Sequence, residues 1–200
     1  MKTAFCFDMD GTLTKHEVLP IIAKGLGIEP EISVLTKATI DGLLPFEQSF
    51  NLRVKLLAST PIEDVSNIIS NIPIHEKMLQ FIVDNKENCF IVTGNLDVWI
   101  AEYMQKIGCD YFCSAAEIKN GNVKGVKTTL DKSHAIEDIR VRGFNRIVAV
   151  GDGMNDVQMF EQADISVAFG GVHQPVESLI KTADYVTFSE IGVCNILRML

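Results

Sequence analysis

The 200-residue chain is short of positive charge: 18 Lys and Arg stand against 26 Asp and Glu, for a net charge of −8. Nucleic acids and anionic membrane surfaces both demand a basic face, so neither is expected as a partner. The sequence lacks any apolar run of the length that a bilayer crossing requires. Its first residues lead directly into an apolar strand segment, without the apolar core and cleavage site of a signal peptide, so a cytoplasmic protein is expected. Internal repeats and low-complexity linkers are missing too. Cysteine is sparse and odd in number, at 5. Cys6 and Cys89 fall in apolar segments and Cys109, Cys113 and Cys194 have no metal-ligand spacing, so reduced, packed thiols are expected. What is present, 47% apolar and 22% charged residues, is the make-up of a globular protein with room for a substantial core. Oligomeric state is not legible in it.

The most informative stretch is Ala4-Phe5-Cys6-Phe7-Asp8-Met9-Asp10-Gly11-Thr12-Leu13, where an apolar run stops at two aspartates one residue apart. Such a run suits a strand buried on both faces, and ligands of open α/β sheets bind just beyond the carboxyl ends of such strands. Alternating side chains send Asp8 and Asp10 off one side, where a divalent cation can keep both ionised. One carboxylate could attack while the other handles protons. An acidic turn would explain this segment alone, but Arg146 to Val150 repeats the layout, running into Gly151-Asp152-Gly153-Met154-Asn155-Asp156. There Asp152 can reach a metal, while Asn155 and Asp156 sit where a helix begins. A third apolar run, Cys89 to Val92, ends at Thr93-Gly94-Asn95, which offers a hydroxyl and backbone N–H groups to a phosphate oxygen. Lys132 opens a helix with Asp131 as its N-cap and could supply the positive charge that an acidic, phosphate-binding pocket otherwise lacks.

Between the first two of these segments, residues 14–73 carry helical periodicity: Val18, Leu19, Ile22, Ala23 and Leu26, then Ile32, Leu35 and Ile40, then Phe46, Phe50, Leu56 and Leu57, then Ile62, Val65, Ile68 and Ile69. Four short helices fit, with Pro30, Pro45 and Pro61 at helix starts and Pro73 closing the segment. Beyond it, helical patterns at 75–86, 97–107 and 131–142 alternate with the apolar runs and with a further strand at 165–168, which implies a parallel sheet. Asn120-Gly121 within 116–126 marks a hairpin, residues 185–187 a last edge strand and 191–200 a closing helix.

Asp8-x-Asp10-Gly11-Thr12, Thr93-Gly94, the helix-opening Lys132 and Gly151-Asp152-Gly153-x-Asn155-Asp156, in this order, resemble the haloacid dehalogenase-like hydrolase superfamily, over Phe5 to about Asp184. Within it the chain is most similar to the phosphoserine phosphatase group. The resemblance implies an α/β fold, a Rossmann-like parallel sheet core with helices on both faces (1–13 and 74–200) and a small helical cap (14–73) inserted after strand 1. Segment Phe46-Glu47-Gln48-Ser49 followed by Arg53 is similar to the cap helix that carries the group's substrate arginine. Glu17 stands where the group places the carboxylate for the substrate amino group. A guanidinium for a carboxylate and a carboxylate for an ammonium together describe an amino acid head group.

Chemistry and resemblance jointly imply a phosphatase in which Asp8 forms an aspartyl-phosphate and Asp10 serves as acid and then base. Thr93 and Lys132 complete the charge clamp. Mg²⁺ is expected on the Asp8 carboxylate, the Asp10 backbone carbonyl and Asp152. Glu17, Phe46, Arg53, Thr93, Gly94 and Asn155 are expected against substrate, with Asp156 orienting Lys132. Phosphoserine hydrolysis is the leading expectation. A phosphatase or phosphotransferase for another small phosphomonoester, or a non-catalytic binding protein, are the alternatives, the last disfavoured because every chemical position is filled. Two departures bear on substrate fit. Thr93-Gly94-Asn95 replaces the group's usual Ser-Gly-Gly, and the loop Phe169-Gly170-Gly171-Val172-His173-Gln174-Pro175 is longer and richer in glycine than the group leads one to expect. Asn95 and His173 could reshape the pocket, although a lone loop histidine, like His16, is ordinarily just exposed.

Overall fold

The structure, a computed structural model, describes residues 2–40 and 43–200. Its centre is a 7-stranded sheet in the order β4-β3-β2-β1-β5-β6-β7. The strands are β1 (Thr3–Phe7), β2 (Cys89–Leu96), β3 (Asp110–Lys119), β4 (Asn122–Thr128), β5 (Arg146–Gly151), β6 (Ile165–Phe169) and β7 (Tyr185–Thr187). Every pairing is parallel except β3 with β4. The two strands that end in the first and last acidic motifs, β1 and β5, lie side by side in the middle of the sheet.

The helices, in chain order, are α1 (Val18–Leu26), α2 (Glu29–Ile40), α3 (Phe46–Leu57), α4 (Ile62–Ser70), α5 (Glu76–Asp84), α6 (Asp97–Ile107), α7 (Lys132–Val141), α8 (Val157–Gln162), α9 (Glu177–Thr182) and α10 (Glu190–Met199). Alternation along β1 sorts them into two layers. Phe5 and Phe7 point into one cluster with Met78, Phe81 and Ile82 of α5, Trp99 and Tyr103 of α6 and Val193 and Leu197 of α10. Ala4 and Cys6 point the other way, against Ile136 and Ile139 of α7, Met159 and Phe160 of α8 and Leu179 of α9. A strand covered on both faces has no polar side to show, which is why β1 reads as an unbroken apolar run. The five cysteines carry no disulfide, and Cys6, Cys89 and Cys194 are buried as expected.

Helices α1 to α4 form the excursion between β1 and α5. Its two ends leave and rejoin the sheet side by side: Thr14 bridges Ile74, Lys15 N–H donates to Pro73 O at 2.8 Å and His75 N–H to Leu13 O at 3.0 Å. On α3 the inward stripe is Phe50, Arg53, Val54 and Leu57, all buried. A guanidinium therefore occupies a position that helical spacing reserves for the core. The side chains of Ile40 and Phe46 lie outside the described residues. Among the described residues no helix is long and apolar enough to cross a membrane.

Three elements depart from the sequence reading. Strand β2 continues through Thr93-Gly94-Asn95 to Leu96, with its pairing to β3 interrupted between Val92 and Leu96. The hairpin at Asn120-Gly121, both at positive φ, is where it was expected, but its first strand is longer than 116–126 implied: the first half of β3 is a parallel member of the main sheet. Half of that strand is solvent-exposed, which breaks the apolar run that betrays a central strand. Helix α9 was not anticipated, being only 6 residues long.

Candidate active site

The Asp8 N–H donates to Val150 O at 2.9 Å, which fixes the first residue past β1 against the neighbouring strand. The chain then turns within a few residues. Leu13 and Thr14 N–H both return to Met9 O at 3.0 and 2.9 Å, and the Thr14 hydroxyl accepts from Gly11 N–H at 3.1 Å. Gly11 sits at φ +79, and a β-carbon there would come within 2.7 Å of Asp152 Oδ2 and 2.9 Å of Glu17 Oε1. No other residue type fits that turn without displacing both carboxylates. Asp10 is anchored differently from Asp8: its Oδ1 accepts Val18 N–H at 2.7 Å, at the amino end of α1.

Lys132, buried at the first turn of α7, spans two carboxylates. It donates to Asp8 Oδ1 and, at 2.6 Å, to Asp156 Oδ1. Its helix begins there because Asp131 accepts the Ser133 and His134 N–H groups as N-cap. The second oxygen of Asp156 accepts the N–H groups of Asp152 and Gly153 at 3.0 and 2.9 Å. Asp156 therefore ties Lys132 to the loop after β5. Asp152 presents one oxygen to the Thr12 hydroxyl at 2.5 Å, a contact that sequence reasoning did not assign although Thr12 belongs to the first motif. Thr93 is fully buried, and its oxygen accepts the backbone and side-chain N–H of Asn95 at 3.2 and 3.0 Å. The Asn95 side chain thus turns back on Thr93 instead of reaching toward a ligand. Both bonds use the threonine oxygen, so its proton can be aimed at a bound oxyanion. Asn155, in the loop after β5, has its amide oxygen over Gly153.

Burial, then the nearby Asp156, pushes the Asp8 carboxyl well above the usual range, with Lys132 pulling the other way. Asp10 is also pushed well above it, by burial and then by the charge of Glu17, to which it is hydrogen-bonded. Asp152 is raised by burial, against the pull of its bond to His173. Burial works to lower Lys132, but Asp156 and Asp8 outweigh it and hold the ammonium firmly protonated. Such a set of buried acids fits a divalent cation. Asp8, Asp152 and Asp156 each offer an oxygen within 4.8 Å of the others. Asp156 is committed to Lys132 and two backbone N–H groups, which leaves Asp8 and Asp152 to hold an ion through hard oxygen donors.

Glu17 precedes α1, and Arg53 feels the charges of both Asp10 and Glu17. The structure thus brings Glu17 and Arg53, far apart in sequence, to the mouth of the aspartate pair. His173 departs from expectation. Its Nε2 lies 2.8 Å from Glu17 Oε1 and 2.7 Å from Asp152 Oδ2, and those two bonds push its pKa up to about 11. The signal for it lay in its position, just past the carboxyl end of β6, which neighbours β5 in the sheet. The glycines of its loop have a packing cause: a β-carbon on Gly171 would overlap the Phe169 ring at 2.0 Å.

With this geometry in place, the likenesses to known proteins are informative. A sequence model of the haloacid dehalogenase-like hydrolase family matches residues 2–164. The phosphoserine phosphatase of Methanocaldococcus jannaschii is 35% identical over 180 residues, 84% of this chain and 85% of that protein. A phospho-aspartyl intermediate analogue of a phosphoserine phosphatase superposes with TM-score 0.81 at 32% identity, over 100% of this chain and 98% of that one. A substrate-bound phosphoserine phosphatase complex superposes with TM-score 0.83 at 31% identity, over 100% of this chain and 99% of that one.

Proposed function

The chain belongs to the haloacid dehalogenase-like hydrolase family, and from that premise we propose that it is a Mg²⁺-dependent phosphoserine phosphatase, hydrolysing O-phospho-L-serine to L-serine and orthophosphate. One observation carries the reading: the two aspartates that follow β1 are set apart by their partners, Asp8 bonded to Lys132 and Asp10 to Glu17. The Lys132 ammonium pulls Asp8 toward the ionised form a nucleophile needs, against the burial that raises it, whereas the charge of Glu17 adds to burial in keeping on Asp10 the proton it has to give.

In the proposed reaction an oxygen of Asp8 attacks phosphorus, the ester P–O bond breaks and the serine oxygen takes the proton from Asp10. Asp10, now a carboxylate, takes a proton from a water that attacks the aspartyl-phosphate, and the bond to Asp8 breaks to release orthophosphate. Lys132, Thr93, the Gly94 backbone and Asn155 receive the phosphoryl oxygens, while Asp156 keeps Lys132 in place. Mg²⁺, held by Asp8, the Asp10 carbonyl and Asp152, would offset the negative charge of phosphate and carboxylates. Arg53 takes the substrate carboxylate and Glu17 its ammonium. Residues 14–73 act as a cap over a core of 1–13 and 74–200 and keep solvent from the phosphoenzyme. The reaction suits a cytoplasmic enzyme whose partner is a small metabolite.

The test is phosphate release from a panel of phosphomonoesters with Mg²⁺. Phosphoserine is expected to exceed aryl and sugar phosphates in kcat/KM. Equal rates across the panel would remove the amino acid reading and leave a general phosphatase.

A further inference from the structure

Glu17 makes no hydrogen bond to the helix it precedes, so its own element does not fix its carboxylate. Groups from elsewhere do. Asp10 bonds it from the β1 loop, and His173 reaches it from the loop after β6, with Nε2 at 2.8 Å from Oε1. The imidazole is itself held at both ends, since Nδ1 lies 3.1 Å from the carbonyl of Gln174. A carbonyl and a carboxylate can only accept, so the ring donates on each side. On its far side Nε2 also lies 2.7 Å from Asp152 Oδ2. The ring thus stands between two carboxylates whose oxygens are within 4.8 Å of each other. Without it Glu17, on the more exposed side of the pair, would lose the donor that holds its carboxylate toward the aspartates.

Resting on the phosphoserine reading, we propose that His173 is a specificity-determining residue, which positions the Glu17 carboxylate to receive the substrate's ammonium. A substrate with no amine gains nothing from Glu17, so losing His173 costs the two kinds of substrate differently. The contact also explains why this chain carries a histidine at the tip of a long glycine-rich loop. The ring has to cross from β6 to the start of α1, and Gly171, packed under Phe169, keeps the loop close to the sheet.

His173→Ala and His173→Gln are compared with the wild type on phosphoserine and on 4-nitrophenyl phosphate, with Mg²⁺ titrated for each. In the alanine variant KM for phosphoserine is expected to rise about tenfold, the yield of one charge-assisted hydrogen bond, with kcat moving less. The ratio of kcat/KM for phosphoserine to that for the aryl ester is expected to fall by about the same factor. Glutamine, which keeps an N–H donor, is expected to recover most of the preference. Circular dichroism and unfolding midpoints check that both variants fold. Equal losses on both substrates, together with a raised Mg²⁺ requirement, would mean that His173 works through Asp152 and would overturn the proposal. So would an unchanged preference in the alanine variant, or a glutamine variant no better than alanine. A wild type with no preference for phosphoserine would bring down the functional reading and this inference together, whereas a selective wild type with a selective alanine variant would sink the inference alone.

Discussion

Asp8 and Asp10 share a turn yet meet different neighbours, and their substitutions are expected to fail in different ways. Asp8→Asn keeps shape and the approach of Lys132 but cannot attack, so turnover should fall by several orders of magnitude while the unfolding midpoint stays high. Normal phosphate release from the purified variant would contradict the nucleophile assignment. Asp10→Asn removes the proton source and should slow turnover by about 10² to 10⁴. Rapid quench with labelled substrate would show whether phosphoenzyme still forms. Arg53→Ala deletes a charge-assisted contact worth about 1.5 to 3 kcal/mol, so phosphoserine should suffer roughly ten- to a hundredfold more than an aryl phosphate. Equal losses would assign Arg53 to the packing of α3, in whose buried stripe it lies. The aspartates, Lys132 and Asp152 were legible in the sequence because each follows an apolar strand or opens a helix. The hold of His173 on Glu17 and the bond of the Thr12 hydroxyl to Asp152 were not, although His173 itself stood out as able to reshape the pocket, because only the sheet order joins these partners.

Helix α7 shows how a local signal places a side chain of the acidic cluster. Its first residue is Lys132, and the N-cap bonds of Asp131 to Ser133 and His134 set where that first turn begins. Asp131→Ala is expected to destabilise the protein by about 0.5 to 2 kcal/mol and to lower kcat as well, with Asp131→Asn restoring both. Thermal unfolding and steady-state rates on the same preparations would check this, and an unshifted midpoint would contradict it. Legibility at this scale followed burial. Strands β1, β5 and β6 are covered on both faces and read as apolar runs, and the capped helices α6 and α7 fall within a residue of their expected spans. Strand β3, exposed along much of its length, and α9, barely more than a turn, lack the periodicity that would have disclosed them.

For the molecule as a whole, the buried acids tie stability to pH and to cations. Asp8, Asp10 and Asp152 lie above their usual 3.8 in the folded state, and His173 lies near 11 against its usual 6.5. Groups with raised folded values stabilise fully below their unfolded values, and that contribution is lost as pH climbs through the folded ones. Chelated protein should therefore weaken as pH rises, and Mg²⁺, which favours the ionised carboxylates, should restore more at about pH 8.5 than at about pH 6. Unfolding midpoints with chelator and with Mg²⁺ at each pH would decide this, and a gain that shrinks with pH would contradict it.

The excursion between β1 and α5 begins and ends beside itself, where Thr14 bridges Ile74 and Lys15 meets Pro73. Segments whose ends touch can be exchanged with little disturbance to what surrounds them. Glu17 and Arg53 ride on this one, whereas Asp8, Lys132 and Asp152 stay outside it. On the roles proposed for these residues, descent can revise which molecules the protein accepts while the inherited apparatus for breaking the phosphate ester passes on untouched. An engineer could make the same trade by grafting a foreign segment across that seam.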